Sequence, residues 1–286
     1  MIFGYQIKII IFIHLYMLFK YIAGNRICHV LNKSKHILKN GRIPVINYAI
    51  ESNNNKLLVF KEYEKLCNKL DSNYRIAIKL SSLNFDKNLI DDIIQMYKSK
   101  NIKILIDAED NKSNNLYQNR VNSLLLEYNN DKCNIFKTYQ MYRIDAIDNL
   151  RRDIYFCKKN NIFLGVKMVR GAYWYSEKNN GHLFIKKEET DKSYNKGIME
   201  LYENRSNKII PILATHNDES INLGLLLNEE KQYFEFGHLL GMKQNKYNRV
   251  YGTINVYVPY GPYNKMIPYL GRRLFENIDT VKYIFI

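Results

Sequence analysis

The chain has 286 residues, enough for one substantial hydrophobic core and better suited to one barrel-sized domain than to two small ones. Its 43 Lys and Arg against 28 Asp and Glu give a formal charge of +15. The basic residues are scattered, with no helix-turn-helix, zinc-finger or aromatic-basic sheet motif, which argues against nucleic acid as a partner. Four separated cysteines without a C-x-x-C pair, and six histidines without an H-E-x-x-H motif, argue against a metal site or a disulfide framework; we expect buried free thiols in a reducing compartment.

Ile2–Phe19 is apolar but interrupted by Lys8 and His14 and bounded by Lys20, short of the roughly 20 apolar residues a spanning helix needs. Residues 1–50 hold seven Lys or Arg and no acid, as in a transit peptide, but lack the Ser- and Arg-rich character of one. The expectation for residues 1–40 is a helical segment packing on the domain, and a candidate region for targeting or membrane contact. From residue 41 to 286, short β-like runs alternate with longer stretches of helical period. The strands expected are Ile43–Ile50, Arg75–Ser82, Lys103–Asp107, Asn134–Tyr139, Phe163–Val169, Ile209–Thr215, Tyr233–Phe236 and Asn255–Val258. Between them lie helices over Glu62–Leu70, Lys87–Lys98, Leu116–Tyr128, Ala146–Lys159, Thr190–Glu203 and Glu219–Glu229, with a last one at Ile267–Asn277. Eight strands alternating with helices predict an α/β fold, a (β/α)8 barrel of the TIM type.

Chemistry in such barrels sits at the C-terminal strand ends. These ends carry Lys79, Asp107 with Ala108 and Glu109, Tyr139 with Gln140, Lys167 to Gly171, Thr215 with His216 and Asn217, and Tyr257. Lys167 stands out within G-V-K-M-V-R-G-A-Y-W (Gly165–Trp174), because an unpaired ammonium in a buried strand costs several kcal/mol or loses its proton. It therefore calls for an anionic or polarised partner. Asp107 can accept from a ligand or balance the lysines, while Glu109 and Asp110 read as caps of the following helix. His216, in A-T-H-N, suits a base, a metal ligand or a donor to a cofactor. Trp174 suits either packing on a flat ring or packing under a loop.

In P-Y-L-G-R-R-L-F-E-N, Tyr269, Arg272, Arg273 and Glu276 share one helical face, offering a ring and two guanidinium forks suited to a carboxylate. An exposed helix with an Arg–Glu pair is the structural alternative. The absence of G-x-G-x-x-G excludes a Rossmann dinucleotide site, so any cofactor belongs at the barrel mouth.

Ten segments in order give these readings a family. I-N-Y-A-I-E (Ile46–Glu51), K-L-S-S-L (Lys79–Leu83), I-D-A-E-D (Ile106–Asp110), T-Y-Q-M-Y (Thr138–Tyr142), G-V-K-M-V-R-G-A-Y, E-E-T-D-K-S-Y-N (Glu188–Asn195), A-T-H-N, E-F-G-H-L-L-G-M (Glu235–Met242), Y-V-P-Y-G-P (Tyr257–Pro262) and the Arg272–Arg273 segment resemble the monofunctional proline dehydrogenase family, from about Tyr21 to Asn277. The resemblance implies a distorted barrel with non-covalent FAD at its mouth and the last helix capping it. It implies that Lys79, Arg272 and Arg273 hold the carboxylate of L-proline, that Tyr257, Tyr269 and Leu239 pack its ring, and that Lys167 and Asp107 stand at the reacting centre. Ala108, Gln140, Arg170, Gly171, Ala172, Thr215 and His216 line the cofactor, with Trp174 as a further contact. Gly171 is expected to let the backbone approach it closely.

The implied reaction is hydride transfer from proline to flavin N5, giving Δ1-pyrroline-5-carboxylate, the first step of proline degradation to glutamate. Lys167 stabilises the negative charge of the reduced flavin, activity rises with pH as the substrate amine loses its proton, and a quinone takes the electrons. A mitochondrial inner-membrane location on the matrix side follows for a eukaryote, otherwise a cytoplasmic or membrane-peripheral one, with no attached aldehyde dehydrogenase module expected. The chain departs from the family at Asn114–Asn115, where Gln-Pro is usual, and at Gly271, where a branched residue is usual. The competing readings are a hydroxyproline or related cyclic imino acid dehydrogenase, and an inactive barrel that binds a membrane or a partner.

Overall fold

Eight short parallel strands close on themselves in chain order, each paired with the next and the last with the first. This is the (β/α)8 barrel. The computed structural model describes residues 20–50, 55–242, 247–248 and 250–266. The elements are α1 (Ile27–Lys39), β1 (Ile43–Tyr48), α2 (Lys56–Lys69), β2 (Arg75–Ile78), α3 (Lys87–Ser99), β3 (Lys103–Ile106), α4 (Asn114–Tyr128), β4 (Ile135–Gln140), α5 (Ala146–Lys159), β5 (Leu164–Val169), the single turn α6 (Trp174–Glu177), α7 (Lys187–Glu203), β6 (Ile209–Ala214), α8 (Asp218–Leu226), β7 (Glu235–Leu239) and β8 (Ile254–Tyr260).

The barrel forms because most strands carry apolar side chains on both faces, as parallel strands covered by helices do. Val45, Ala77, Leu105, Phe136 and Ile212 pack together inside. Their sequence neighbours Ile46, Ile76, Ile104, Ile135 and Leu213 join the larger layer beneath the helices. In α3, Ile90, Ile93, Ile94 and Tyr97 recur at helical spacing and are buried, and the Asp86 side chain caps the first turn by accepting from the Leu89 N–H at 3.1 Å. The helix α1 lies against β1 and β8 on the outside of the barrel. No described helix is long and apolar enough to cross a membrane.

Three departures from the expected boundaries have an identifiable local reason, while the bounds of the other described elements shift by at most three residues. The second strand stops at Ile78, and Leu80–Leu83 turns into a 3-10 helix, with Ser82 Oγ donating to the Lys79 carbonyl at 2.7 Å. The seventh strand runs Glu235–Leu239 instead of Tyr233–Phe236: Tyr233 and Phe234 precede it, their N–H groups held by the Asn228 side chain, and Gly237–His238 continues the ladder. The helix α2 begins at Lys56, well before Glu62, because Asn55 caps it by accepting from Leu58 N–H at 3.1 Å. All four cysteines are free; Cys67, Cys133 and Cys157 are buried, but Cys28 is exposed on α1, contrary to the expectation of four buried thiols. Ile2–Phe19 and the segment Ile267–Asn277 lie outside the described residues.

Candidate active site

Inward-facing side chains at the C-terminal strand ends enclose a cavity of about 520 Å³. At its centre the buried Lys167 has found its anion. Its ammonium pairs with the Asp107 carboxylate across the barrel; Lys167 is 6 % exposed and Asp107 8 %. Tyr257 on β8 donates its hydroxyl to the other oxygen of Asp107, and Lys167 Nζ stands 4.8 Å from the centroid of the Tyr257 ring. Three strands thus contribute one closed group: a cation, an anion holding two donors, and an aromatic face.

Beside it, Arg170 is held on every side. Its guanidinium donates to Asp191 at 2.8 Å, to Thr215 Oγ1 and to Ser220 Oγ at 3.0 Å, and it stacks 4.3 Å from the Tyr194 ring centroid. Burial opposes ionisation of Asp191, but hydrogen bonds from Lys187 and Arg170 and their charges hold its carboxyl below the usual range. Arg170 is therefore a fixed positive charge at the cavity edge. The His216 Nε2 accepts from the Leu239 N–H at 3.3 Å, which leaves the hydrogen on Nδ1 in the neutral ring.

Of the residues expected from sequence, Lys79, Asp107, Ala108, Gln140, Lys167, Arg170, Gly171, Ala172, Thr215, His216, Leu239 and Tyr257 all line this one cavity. Trp174 does not line it: its indole N–H donates to the Phe184 carbonyl at 3.0 Å, and Lys178 sits 5.0 Å from the ring, so it ties down the loop after β5. Tyr269, Arg272 and Arg273 lie outside the described residues. Gly171 lines the cavity and has a local reason of its own. Its φ is +137°, and a Cβ there would stand 2.4 Å from the Tyr142 ring, so the glycine makes room for a tyrosine. Asp110 caps a turn as expected, accepting from Ser113 N–H at 3.2 Å. Glu109 instead reaches back to Ser81, accepting from its N–H at 3.1 Å and from its hydroxyl.

Sequence reasoning missed several lining residues, among them Thr138, Lys187, Gly237 and Asn255. Asn255 carried a usable signal, a polar residue inside the apolar run I-N-V-Y-V and two positions before Tyr257. Lys187 carried none, because a lysine opening a helix is ordinary.

The family model described as proline dehydrogenase matches residues 40–284. The chain is 30 % identical over 272 residues to the mitochondrial proline dehydrogenase 1 of Dictyostelium discoideum, covering 87 % of this chain and 47 % of that protein. It is 28 % identical over 295 residues to the carbapenem antibiotics biosynthesis protein CarD of Pectobacterium carotovorum subsp. carotovorum, covering 90 % of this chain and 78 % of the relative. Among solved structures, proline utilization A from Bdellovibrio bacteriovorus superposes with a TM-score of 0.85 at 20 % identity, over 92 % of this chain and 33 % of that one. The chain therefore spans about half the length of the Dictyostelium protein, at 47 %, and about a third of the solved bacterial one, at 33 %. With a barrel of matching topology and a family match across nearly all of it, the chain belongs to the proline dehydrogenase family.

Proposed function

We propose that this barrel oxidises L-proline to Δ1-pyrroline-5-carboxylate with FAD as the electron acceptor. The observation that carries the reading is the Lys167–Asp107–Tyr257 group at the mouth of a barrel of this family, with Lys79 on the same cavity wall.

The cavity fits a flat cofactor in size and chemistry. Val45, Leu105, Val169 and Ile212 supply apolar wall, while Ala108, Ala172, Ala214 and Gly237 keep side-chain bulk low. Gln140, Thr215 and His216 supply hydrogen-bonding edges, and Arg170 supplies a locked positive charge. Those are the residues that would hold the flavin, whose contribution when bound is to take up a hydride and so two electrons.

The chain's own residues do the rest by positioning. Lys79, with Arg272 and Arg273 proposed from sequence, binds the substrate carboxylate and so sets the direction of the ring. Leu239 and Tyr257 pack the ring, as Tyr269 is proposed to do, which excludes water from C5. The Lys167 ammonium places fixed positive charge where electrons arrive, and Asp107 holds that ammonium in position. The substrate must present its ring nitrogen as the free amine, since that lone pair becomes the C=N bond when hydride leaves C5; the protonated imine then releases a proton. Activity accordingly rises with pH until the amine is free.

A quinone is the proposed electron acceptor, reached by peripheral contact between the basic chain, at +15, and an anionic membrane. The mitochondrial relative and the acid-free first 50 residues support a mitochondrial location. We retain residues 1–40 as a proposed accessory segment and 41–286 as the proposed catalytic barrel. The test is anaerobic mixing of the FAD-loaded protein with L-proline. Bleaching of the flavin band is expected; a band that persists at saturating proline overturns the reading.

A further inference from the structure

We infer that Asn255 holds an ordered water on the cavity floor, and that this water fixes the Lys167 ammonium from below, making Asn255 a positioning residue for the site. The kinetic part of the inference rests on the proposed proline oxidation; the binding part does not.

Asn255 is 3 % exposed and lines the cavity. The orientation of its amide follows from its partners. Nδ2 donates to Glu235 Oε2 at 2.9 Å and to the Phe236 carbonyl at 3.1 Å, and both of these are acceptors. Glu235 is itself clamped by Arg75 through two hydrogen bonds, at 2.5 and 3.0 Å. Burial pushes the Glu235 carboxyl up, but the Arg75 charge and the hydrogen bonds from Arg75 and Asn255 hold it below the usual range, so it stays an acceptor. The nitrogen end of the Asn255 amide is thus determined, and its Oδ1 faces away from the clamp. That oxygen is buried and has no hydrogen-bond partner among the described residues. A buried acceptor left without a donor costs free energy comparable to a lost hydrogen bond, so such atoms are normally satisfied by water or ligand.

The matching donor lies in the same cavity. A protonated lysine has three N–H groups. Among the described residues Lys167 gives one to Asp107, and no other acceptor holds it. Lys167 Nζ lies 4.8 Å from the Tyr257 ring centroid, and Tyr257 is two residues beyond Asn255 on the same inward side of β8. Beside Asn255 in register stands Gly237, which adds no side chain of its own to the cavity floor there. A water accepting from Lys167 and donating to Asn255 Oδ1 meets both needs at once, with the two polar partners a buried water requires. Of the lysine's remaining protons, one then stays directed at Asp107 and one is available to the bound ligand.

Two measurements test this. In a high-resolution crystal structure of the wild-type protein, a solvent oxygen is expected within about 3.2 Å of both Asn255 Oδ1 and Lys167 Nζ. Finding Oδ1 turned onto a protein donor, or no solvent shared between the two atoms, overturns the inference, whatever the enzyme oxidises. In the second, Asn255→Leu keeps the volume and removes the acceptor together with the two Nδ2 hydrogen bonds to Glu235 and Phe236. Its flavin content and proline Kd should match wild type while flavin reduction by proline slows about fivefold, the worth of one hydrogen bond, and Asn255→Ser should recover part of that rate. An unchanged rate, or a loss confined to proline affinity, overturns the positioning role. If Asn255→Leu does not fold, the crystallographic result decides. A wild-type protein whose flavin proline cannot bleach defeats the proposed function and leaves the water test standing.

Discussion

Replacing Lys167 with methionine removes the cation from the centre of the site while keeping a side chain of similar length. In the structure this strands Asp107, which is 8 % exposed and would keep only the Tyr257 hydroxyl as a donor within the group. Breaking a buried pair from one side costs about 3–5 kcal/mol, and we take the lower end because Asp107 faces a cavity rather than a closed core. A loss of about 3 kcal/mol should lower Tm by roughly 6–12 °C in a barrel of this size, measured by scanning calorimetry. Asp107→Asn in the same background removes the stranded charge and should return about 2 kcal/mol of that loss, a coupling typical of residues in direct contact. Activity should not return with stability. Single-turnover flavin reduction by proline should fall about 100- to 1000-fold in both variants, the range seen when one preorganised electrostatic group is removed. Near-normal reduction by Lys167→Met refutes the electrostatic role. A Tm within about 2 °C of wild type, under 1 kcal/mol on the same scale, refutes the pairing as a structural element.

Two further outcomes follow from the geometry. Gly171→Ala, at φ +137° and with its Cβ 2.4 Å from the Tyr142 ring, should cost about 2–3 kcal/mol in chemical denaturation, and combined with Tyr142→Ala it should cost less than the sum of the two single losses; an unchanged denaturation midpoint refutes this account of the glycine. Burial lowers the His238 pKa to about 4, opposed by its hydrogen bond to the Leu239 carbonyl and aided by the Arg42 charge, while its Nε2 has no partner among the described residues. The unfolded chain, with His near 6.5, takes up this proton first, so stability from this group is complete above pH 6.5 and is lost as pH falls towards 4, by about 3 kcal/mol. His238→Gln should flatten that part of the stability-against-pH curve, and identical slopes for the two proteins exclude His238 as the cause.

The sequence by itself carried the architecture, because each strand and helix announces itself through local apolar periodicity. The helix over Ala146–Lys159 is found at the bounds expected, and the fifth strand within one residue of them. The strand-end residues were readable for a related reason: a polar group at the end of an apolar run has few structural excuses, and Lys79, Asp107, Gln140, Lys167, Arg170, Thr215, His216, Asn217 and Tyr257 meet in one cavity. A lysine in a buried strand likewise demanded an anion. Asp107 was readable as a candidate to balance the lysines, but not its pairing with Lys167, 60 residues from it, nor its second donor Tyr257, 150 residues from Asp107. Barrel closure makes neighbours of the first and last strands, and no local pattern encodes a contact across that ring. Only the tertiary structure shows that Gly171 yields to Tyr142, that Trp174 anchors a loop instead of lining the cavity, and that Arg75, Glu235 and Asn255 form one chain of hydrogen bonds beneath the site. Hydrophobic spacing is a property of neighbouring residues, whereas the pairing of buried charges is settled by which side chains folding brings within reach.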